Sequence, residues 1–394
     1  MYRVAGITTG SLLFLRSMTV IPAVAGQTIE FEQLLRGFGP AVGNAVIELR
    51  SDGFAVVGYT ENRDAGHLDA WLIRLDPQGD TLWTRRYGGP GNDWAWDVRE
   101  SEDGGFLVAG FTDGTEGGDK DAWLFRTDEA GELMWERRFG GQGEEEAWAL
   151  ERLEDGGVLL LAQTDSWGAG REDVYLVRTD SLGETVWTRV IGDAGEDRVF
   201  ALVPTEDGFV AVGSSRLLPD SDFDILLLKV SDTGELLWKR RYGGPNDDIG
   251  HGVMTSGDGG VLITGYGNSF GVAGNDVYLI RVAADGTPLW WQTHGGPGDD
   301  RAMMSTSTVT GGQLSIGYTH TNATDWDVHV FATGEDGTLL WDWILDRPGA
   351  DRGVMIAMTS DGAYIMTGTF GGENSESSDL FVIKFRLPQP PLRD

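Results

Sequence analysis

An all-β ring of seven four-stranded antiparallel blades, a β-propeller, is the fold this 394-residue sequence predicts, and three regularities carry the prediction. Trp83, Trp135, Trp187, Trp238, Trp290 and Trp341 recur at intervals of 52, 52, 51, 52 and 51 residues. An aspartate opening a short apolar run recurs seven times, as Asp69, Asp121, Asp173, Asp224, Asp276, Asp327 and Asp379. Between these markers lie short runs of β-formers divided by turn residues, with 59 Gly and 13 Pro in the chain and few helix-forming runs. A repeat near fifty residues without helical pattern is the signature of propeller blades.

The second unit shows the elements in order. Asp93-Trp-Ala-Trp-Asp-Val reads as strand A, and Asp103-Gly-Gly as a turn. Phe106-Leu-Val-Ala-Gly is strand B, followed by a loop; Asp121-Ala-Trp-Leu-Phe-Arg is strand C; a second turn leads to strand D, Leu133-Met-Trp-Glu-Arg-Arg-Phe. The four strands meander antiparallel. Strand C occurs seven times but the Trp-bearing strand D only six, so one D strand is missing from the C-terminal end. Ile29 to Phe38 supplies it, with Phe38 expected at the position of Tyr87, Phe139 and Tyr242. The N-terminal strand is thus expected to pair with the C-terminal blade, which closes the ring and leaves only short protected edges.

The turn before each Trp, as in Asp76-Pro-Gln-Gly79, Asp128-Glu-Ala-Gly131 and Asp180-Ser-Leu-Gly183, puts the indole four residues after a glycine that can supply positive φ. This Asp-x-x-Gly-x-x-x-Trp spacing resembles the tryptophan-docking motif of propellers related to pyrroloquinoline quinone dehydrogenases. More closely, the units are similar to the Asp-Gly-Gly repeats of secreted bacterial and archaeal propeller proteins. The resemblance spans the whole repeat region and implies packing by the six tryptophans between blades, each burying on the order of 200 Å². The quinone enzymes typically have eight blades and often a vicinal cysteine pair. Seven blades and no cysteine argue against a quinoprotein here, and non-catalytic relatives such as the assembly-factor propeller of the bacterial outer membrane are the better comparison.

Residues 1–26, with Arg3, an apolar stretch through Leu13 to Leu15 and Ala23-Val24-Ala25, read as a secretory signal. Residues 27–387 then form a single propeller and 388–394 a Pro-rich tail, in a protein expected outside the cell or in the periplasm. No segment approaches the roughly 20 apolar residues of a membrane span. Without cysteine, stability rests on packing and ring closure. The net charge of -32, with Lys120, Lys229, Lys239 and Lys384 as the sole lysines, excludes nucleic acid or an anionic membrane as partner.

The charge is placed unevenly. In a meander the B to C and D to A loops share one face and the A to B and C to D turns the other. The seven B to C loops, Thr60 to Asp69 and its equivalents, sum to -15, and with the D to A loops they hold most of the net charge. A concave face of one sign recruits cations or a basic surface, and converging carboxylates are the hard ligands Ca²⁺ prefers. At the channel mouth the expected first residues of strand A are Asn44, Asp93, Glu145, Asp197, Asp248, Asp300 and Asp351, the six acids being the metal candidates. The next position reads Ala45, Trp94, Glu146, Arg198, Ile249, Arg301 and Arg352. Two further on come Ile47, Trp96, Trp148, Phe200, His251, Met303 and Val354.

Variation among blades marks positions that packing does not dictate. Trp94, Trp96 and Trp148 face Arg198, Arg301 and Arg352 across the mouth, with His251 beside them, a set suited to stacking and hydrogen-bonding a sugar or a peptide carboxylate. Loop aromatics Trp167, Phe270, Trp326 and Phe370 are further platforms. The five histidines form no HExxH-type pair, and no Gly-x-Ser-x-Gly elbow or phosphate loop is present. The function expected is a secreted, non-catalytic module that presents its acidic face to a basic or cation-bridged protein or glycan, with Ca²⁺ as the candidate ion. The alternative is a glycan-active hydrolase or lyase using Asp93, Asp97 and Glu145 beside Trp96 and Trp148.

Overall fold

The computed structural model describes residues 27–388, apart from 38, 63–66, 115–117, 219–220, 273, 321–324 and 372–377. Twenty-eight strands form seven four-stranded sheets, and among the described residues there is no helix. Every blade repeats the meander of the second: Asp93–Glu100, Phe106–Thr112, Asp121–Thr127 and Leu133–Phe139, each antiparallel to the next. The middle strands are apolar throughout rather than alternating because both faces are covered by neighbouring blades. All seven residues of Phe106–Thr112 are buried. Between blades 2 and 3, Leu107, Ala109 and Leu124 meet Leu150, Leu160 and Ala162.

Blade 7 is built from both ends of the chain. The N-terminal strand Thr28–Arg36 pairs antiparallel with Asp379–Arg386, outside Tyr364–Phe370 and Arg352–Met358. Its register corrects one detail. Phe31 opposes Lys384 as Trp135 opposes Arg126, so Leu35, opposite Leu380, takes the place of Tyr87 opposite Ala70. Phe38, expected there, lies outside the described residues.

The periodic tryptophans join blades as expected but are only half-buried. Trp341, beside the split blade, packs on the apolar cluster of blades 6 and 7, whereas the other five rings lie against the positive-φ glycine of the next blade's C to D turn, as Trp83 does on Gly131 (φ +76°) and Trp135 on Gly183 (φ +79°). A Cβ there would be strained and would strike the indole. In four of the five an arginine two residues on also lies over the ring, as Arg85 does at 5.5 Å from Trp83 and Arg137 at 5.4 Å from Trp135. Phe31 does the same duty on Gly79 at the closing seam. The fully enclosed indoles are instead Trp123 and Trp343.

Every strand A carries a β-bulge at one place, just before its midpoint, as between Ala95 and Asp97. A bulge turns one extra side chain off the ladder. On the innermost strand that side chain lines the channel. The extra residues are Asn44, Trp96, Trp148, Phe200, His251, Met303 and Val354.

Candidate functional site

Blade 1 is offset from the sequence expectation by three residues. Its strand A starts at Ala41, which opposes Thr60 as Asp93 opposes Thr112. Ala41 and Val42 therefore hold the first two positions, and Asn44, not Ile47, is the bulge residue; Ala45 falls beyond it. The remaining six blades keep the expected order, so the upper rim carries six acids rather than a complete ring.

Those acids are occupied by the protein itself. Asp93, Glu145, Asp197, Asp248, Asp300 and Asp351 are all buried, and each accepts the backbone N–H of the residue four before it: Gly89 (2.8 Å), Gly141 (2.7 Å), Asp193 (2.8 Å), Gly244 (2.7 Å), Gly296 (2.7 Å) and Arg347 (2.8 Å). Each pins a D to A loop as an Asx-type cap does. Each also faces the strand C aspartate of the preceding blade. The loop glycine between them makes that possible, since a Cβ at Gly140, Gly243 or Gly295 would collide with both carboxylates of the pair. Among the described residues no three acidic or histidine side chains converge on a metal position.

Asp97 and Glu145, with Asp93 the carboxylates of the hydrolase alternative, are engaged in the same manner. Asp97 accepts Leu150 N–H across the blade boundary (3.0 Å) and Val98 N–H (2.8 Å), and is paired with Arg99. Glu145 also takes the hydroxyl of Thr164 and the N–H of Ser166 (3.3 Å).

Burial drives these junction acids upward in pKa. It raises Asp69, Asp93, Asp121, Asp173, Asp224, Asp248 and Asp276, and pushes Asp351 up to about 7, with the like charge of Asp327 adding to it. A carboxyl raised in the folded state stabilises below its unfolded value, roughly 3.9, and loses that contribution as pH climbs through the folded one. The melting temperature is therefore expected to be higher at pH 5 than at pH 8, and Asp351→Asn should flatten the slope between them. An equally steep profile in that variant would show that the junction acids do not set the pH dependence.

The opposite face treats its acids differently. There the aspartates of the A to B turns meet a basic residue from strand C: Asp103 with Arg126 (2.7 Å), Asp361 with Lys384 (2.9 Å), and Asp155, Asp207 and Asp258 with Arg178, Lys229 and Arg281. Hydrogen bonds from Ser101 and Arg126 hold Asp103 down near about 2, and those from the Gly260 amide, Ser256 and Arg281 do the same for Asp258.

The channel mouth is divided. On blades 2 to 5 an aromatic run passes round the wall: Trp94 stacks on Tyr59 (4.1 Å) and meets Trp96 edge-on (5.5 Å). Trp96 stacks on Trp148 (4.5 Å), Trp148 abuts Phe200 (5.1 Å), and Phe200 lies parallel to His251 (4.9 Å, 2°). Trp96 Nε1 donates to Glu146 (3.0 Å), a carboxyl that burial raises. Desolvation lowers His251 to about 4, so its imidazole is neutral at physiological pH.

Arg301 on blade 6 and Arg352 on blade 7 form the other sector, whereas Arg198 shares blade 4 with Phe200. Arg198 donates from Nε to Glu172 (2.7 Å) and pairs with Glu196. Arg301 is held between rings, with Tyr266 at 4.8 Å and Trp326 at 5.1 Å from its guanidinium carbon, and Arg352 lies over Tyr318 at 5.4 Å. Trp167 and Phe270 are exposed and Trp326 half-buried, but Phe370, expected on display, is buried and stacked on Phe381 (4.3 Å). Sequence reasoning passed over Tyr59, Tyr266 and Tyr318. Their signal was present: each follows a glycine at the end of strand B, as Phe111 does.

With this geometry in view, likeness to solved structures is of fold alone. The Neurospora crassa Pan2 WD40 domain superposes with a TM-score of 0.54 at 9% identity, covering 89% of this chain and 90% of that one. BBS1N in complex with ARL6DN gives 0.53 at 10% identity, covering 93% and 98%. No protein-family model and no curated protein matches the chain. Among the described residues no helix is long and apolar enough to cross a membrane.

Proposed function

We propose that the chain is an exported, non-catalytic binding module that offers its B to C and D to A loop face to a basic partner. One observation carries the reading, the unequal compensation of charge on the two faces. The turn face pairs the aspartates of its A to B turns with arginine and lysine, whereas the loop face, where Lys120 and Lys239 meet Glu144 and Asp193, still leaves exposed acids such as Asp119, Asp165 and Asp247 outside any ion pair among the described residues. A field of one sign over a concave surface draws in opposite charge and speeds encounter. The neighbour BBS1N, solved in complex with ARL6DN, is a precedent for a propeller of this outline engaging another protein. Calcium fits the same face as an ion attracted by its field rather than chelated, since the rim acids are turned to their own loops.

The test removes equal charge from each face. Asp119→Asn, Asp165→Asn, Asp222→Asn and Asp247→Asn together are expected to weaken capture of the protein on immobilised poly-lysine at least ten-fold at low salt. Glu102→Gln, Glu129→Gln, Glu206→Gln and Glu335→Gln, on the turn face, should leave capture nearly intact. Equal losses would mean that net charge alone attracts the polycation, and the face would have no role of its own.

A further inference from the structure

The three arginines of the channel mouth are not equivalent, and the difference identifies what they are for. Arg198 is spent on Glu172 and Glu196. Arg301 is not. Its ion-pair partner Asp299 stands 3.6 Å from Nη2, beyond hydrogen-bond length, and the other oxygen of Asp299 already takes the N–H of Asn275 at 2.9 Å. Arg301 is held instead by flat rings, Tyr266 and Trp326 with Tyr318 at 5.9 Å, and its side chain remains 28% exposed. Stacking fixes the plane of the guanidinium, the hydroxyls of Tyr266 and Tyr318 lie near it, and its exposed edge is left for an anionic acceptor.

Unmet hydrogen-bonding capacity around the mouth is of both kinds: Gln163 Oε1 and the rim oxygens Asp93 Oδ1 and Asp248 Oδ1 lack a donor among the described residues, whereas the aromatic and arginine groups lack an acceptor. Arg301 Nε, Trp94 Nε1 and Trp148 Nε1 have no acceptor among the described residues. On blade 6 the group without a full set of partners is the Arg301 guanidinium, and the fitting group beside it is a carboxylate. A free anion is repelled by a protein of charge -32. A ligand that satisfies both conditions is cationic along its length and carboxylate-bearing at its tip.

We infer that the channel mouth captures the C-terminal carboxylate of a basic polypeptide, with Arg301 as the group that binds it. This rests on the basic-partner reading above and adds the end of the chain that is recognised. The aromatic sector across the channel, whose rings pack on one another in stacked and edge-on contacts, forms the opposite wall.

The experiment titrates the protein calorimetrically at low salt with a pentapeptide of three lysines, alanine and a C-terminal leucine. The free acid is compared with its C-terminal amide. Simple attraction to the acidic face favours the amide, which carries one more positive net charge, so the two effects have opposite signs. The free acid is expected to bind ten- to a hundred-fold more tightly, the range of a charge-assisted hydrogen-bonded pair. Arg301→Gln should erase the preference without altering affinity for the amide, and Arg301→Lys should restore part of it. Equal or stronger binding of the amide by the unmodified protein overturns the inference, whether or not the variants fold, and leaves the basic-partner reading standing. Capture on poly-lysine with no binding of either peptide has the same meaning. Failure to bind poly-lysine as well removes both readings.

Discussion

Deleting Thr28 to Arg36 is expected to lower the melting temperature by more than about 10 °C and to broaden the transition. The strand contributes a complete ladder to Asp379–Arg386 and carries Arg36, Glu32 and Glu30, which pair with Asp379 (3.0 Å), Arg347 and Lys384 (3.1 Å). Without it Leu380, Val382 and their neighbours lose the cover of Phe31 and Leu35, and an unpaired edge faces solvent. Against a total stability of roughly 5 to 15 kcal/mol, a loss of several kcal/mol is severe. A truncated chain melting within about 2 °C of the intact one would mean that blade 7 is complete without its N-terminal strand.

The second large effect separates enclosed tryptophans from periodic ones. Trp123, 2% exposed in strand C of blade 2, contacts Phe125 (4.4 Å) and donates from Nε1 to Glu136 (3.0 Å). Trp123→Ala is expected to destabilise by about 3 to 5 kcal/mol, through lost burial and the cavity left behind. Trp135→Ala, which uncovers one half-buried ring between Gly183 and Arg137, is expected to lose about 1 to 2 kcal/mol. Urea midpoints with comparable slopes decide the ranking. A larger loss for Trp135 would make the periodic contact, rather than the enclosed core, the principal bond between blades.

Much of the architecture was legible because each repeat solves one packing problem with the same residues. The tryptophan interval gave the blades, and the count of strand C aspartates against strand D tryptophans gave the split blade. Register at the seam was not legible. Blade 1 opens with Ala41 where the others have an acid, and Asn44 lies three residues later looking like the missing polar cap. Phe31 likewise replaces the tryptophan that would have marked strand D. The bulge was hidden for another reason, since one extra residue breaks the alternation that would reveal which side chains face inward. The mouth was legible in composition but not in use. Sequence placed Trp94, Trp96 and Trp148 opposite the arginines, yet only coordinates distinguish an arginine neutralised by Glu172 from one held between Tyr266 and Trp326.

The seam also fixes an order of events. The strand that completes blade 7 is the first described segment to leave the ribosome or the export channel, whereas its partner strand is among the last. For as long as the intervening six blades take to emerge, that strand has an apolar side and no partner. Long-range pairing of this kind is slow because chain entropy is lost before any contact is gained. The ring therefore matures in a single late step, and until that step the nascent protein presents two complementary raw edges, one at each end. Those ends can find each other or the ends of another copy. At high local concentration the same complementarity that seals one ring is able to thread several chains into a domain-swapped assembly.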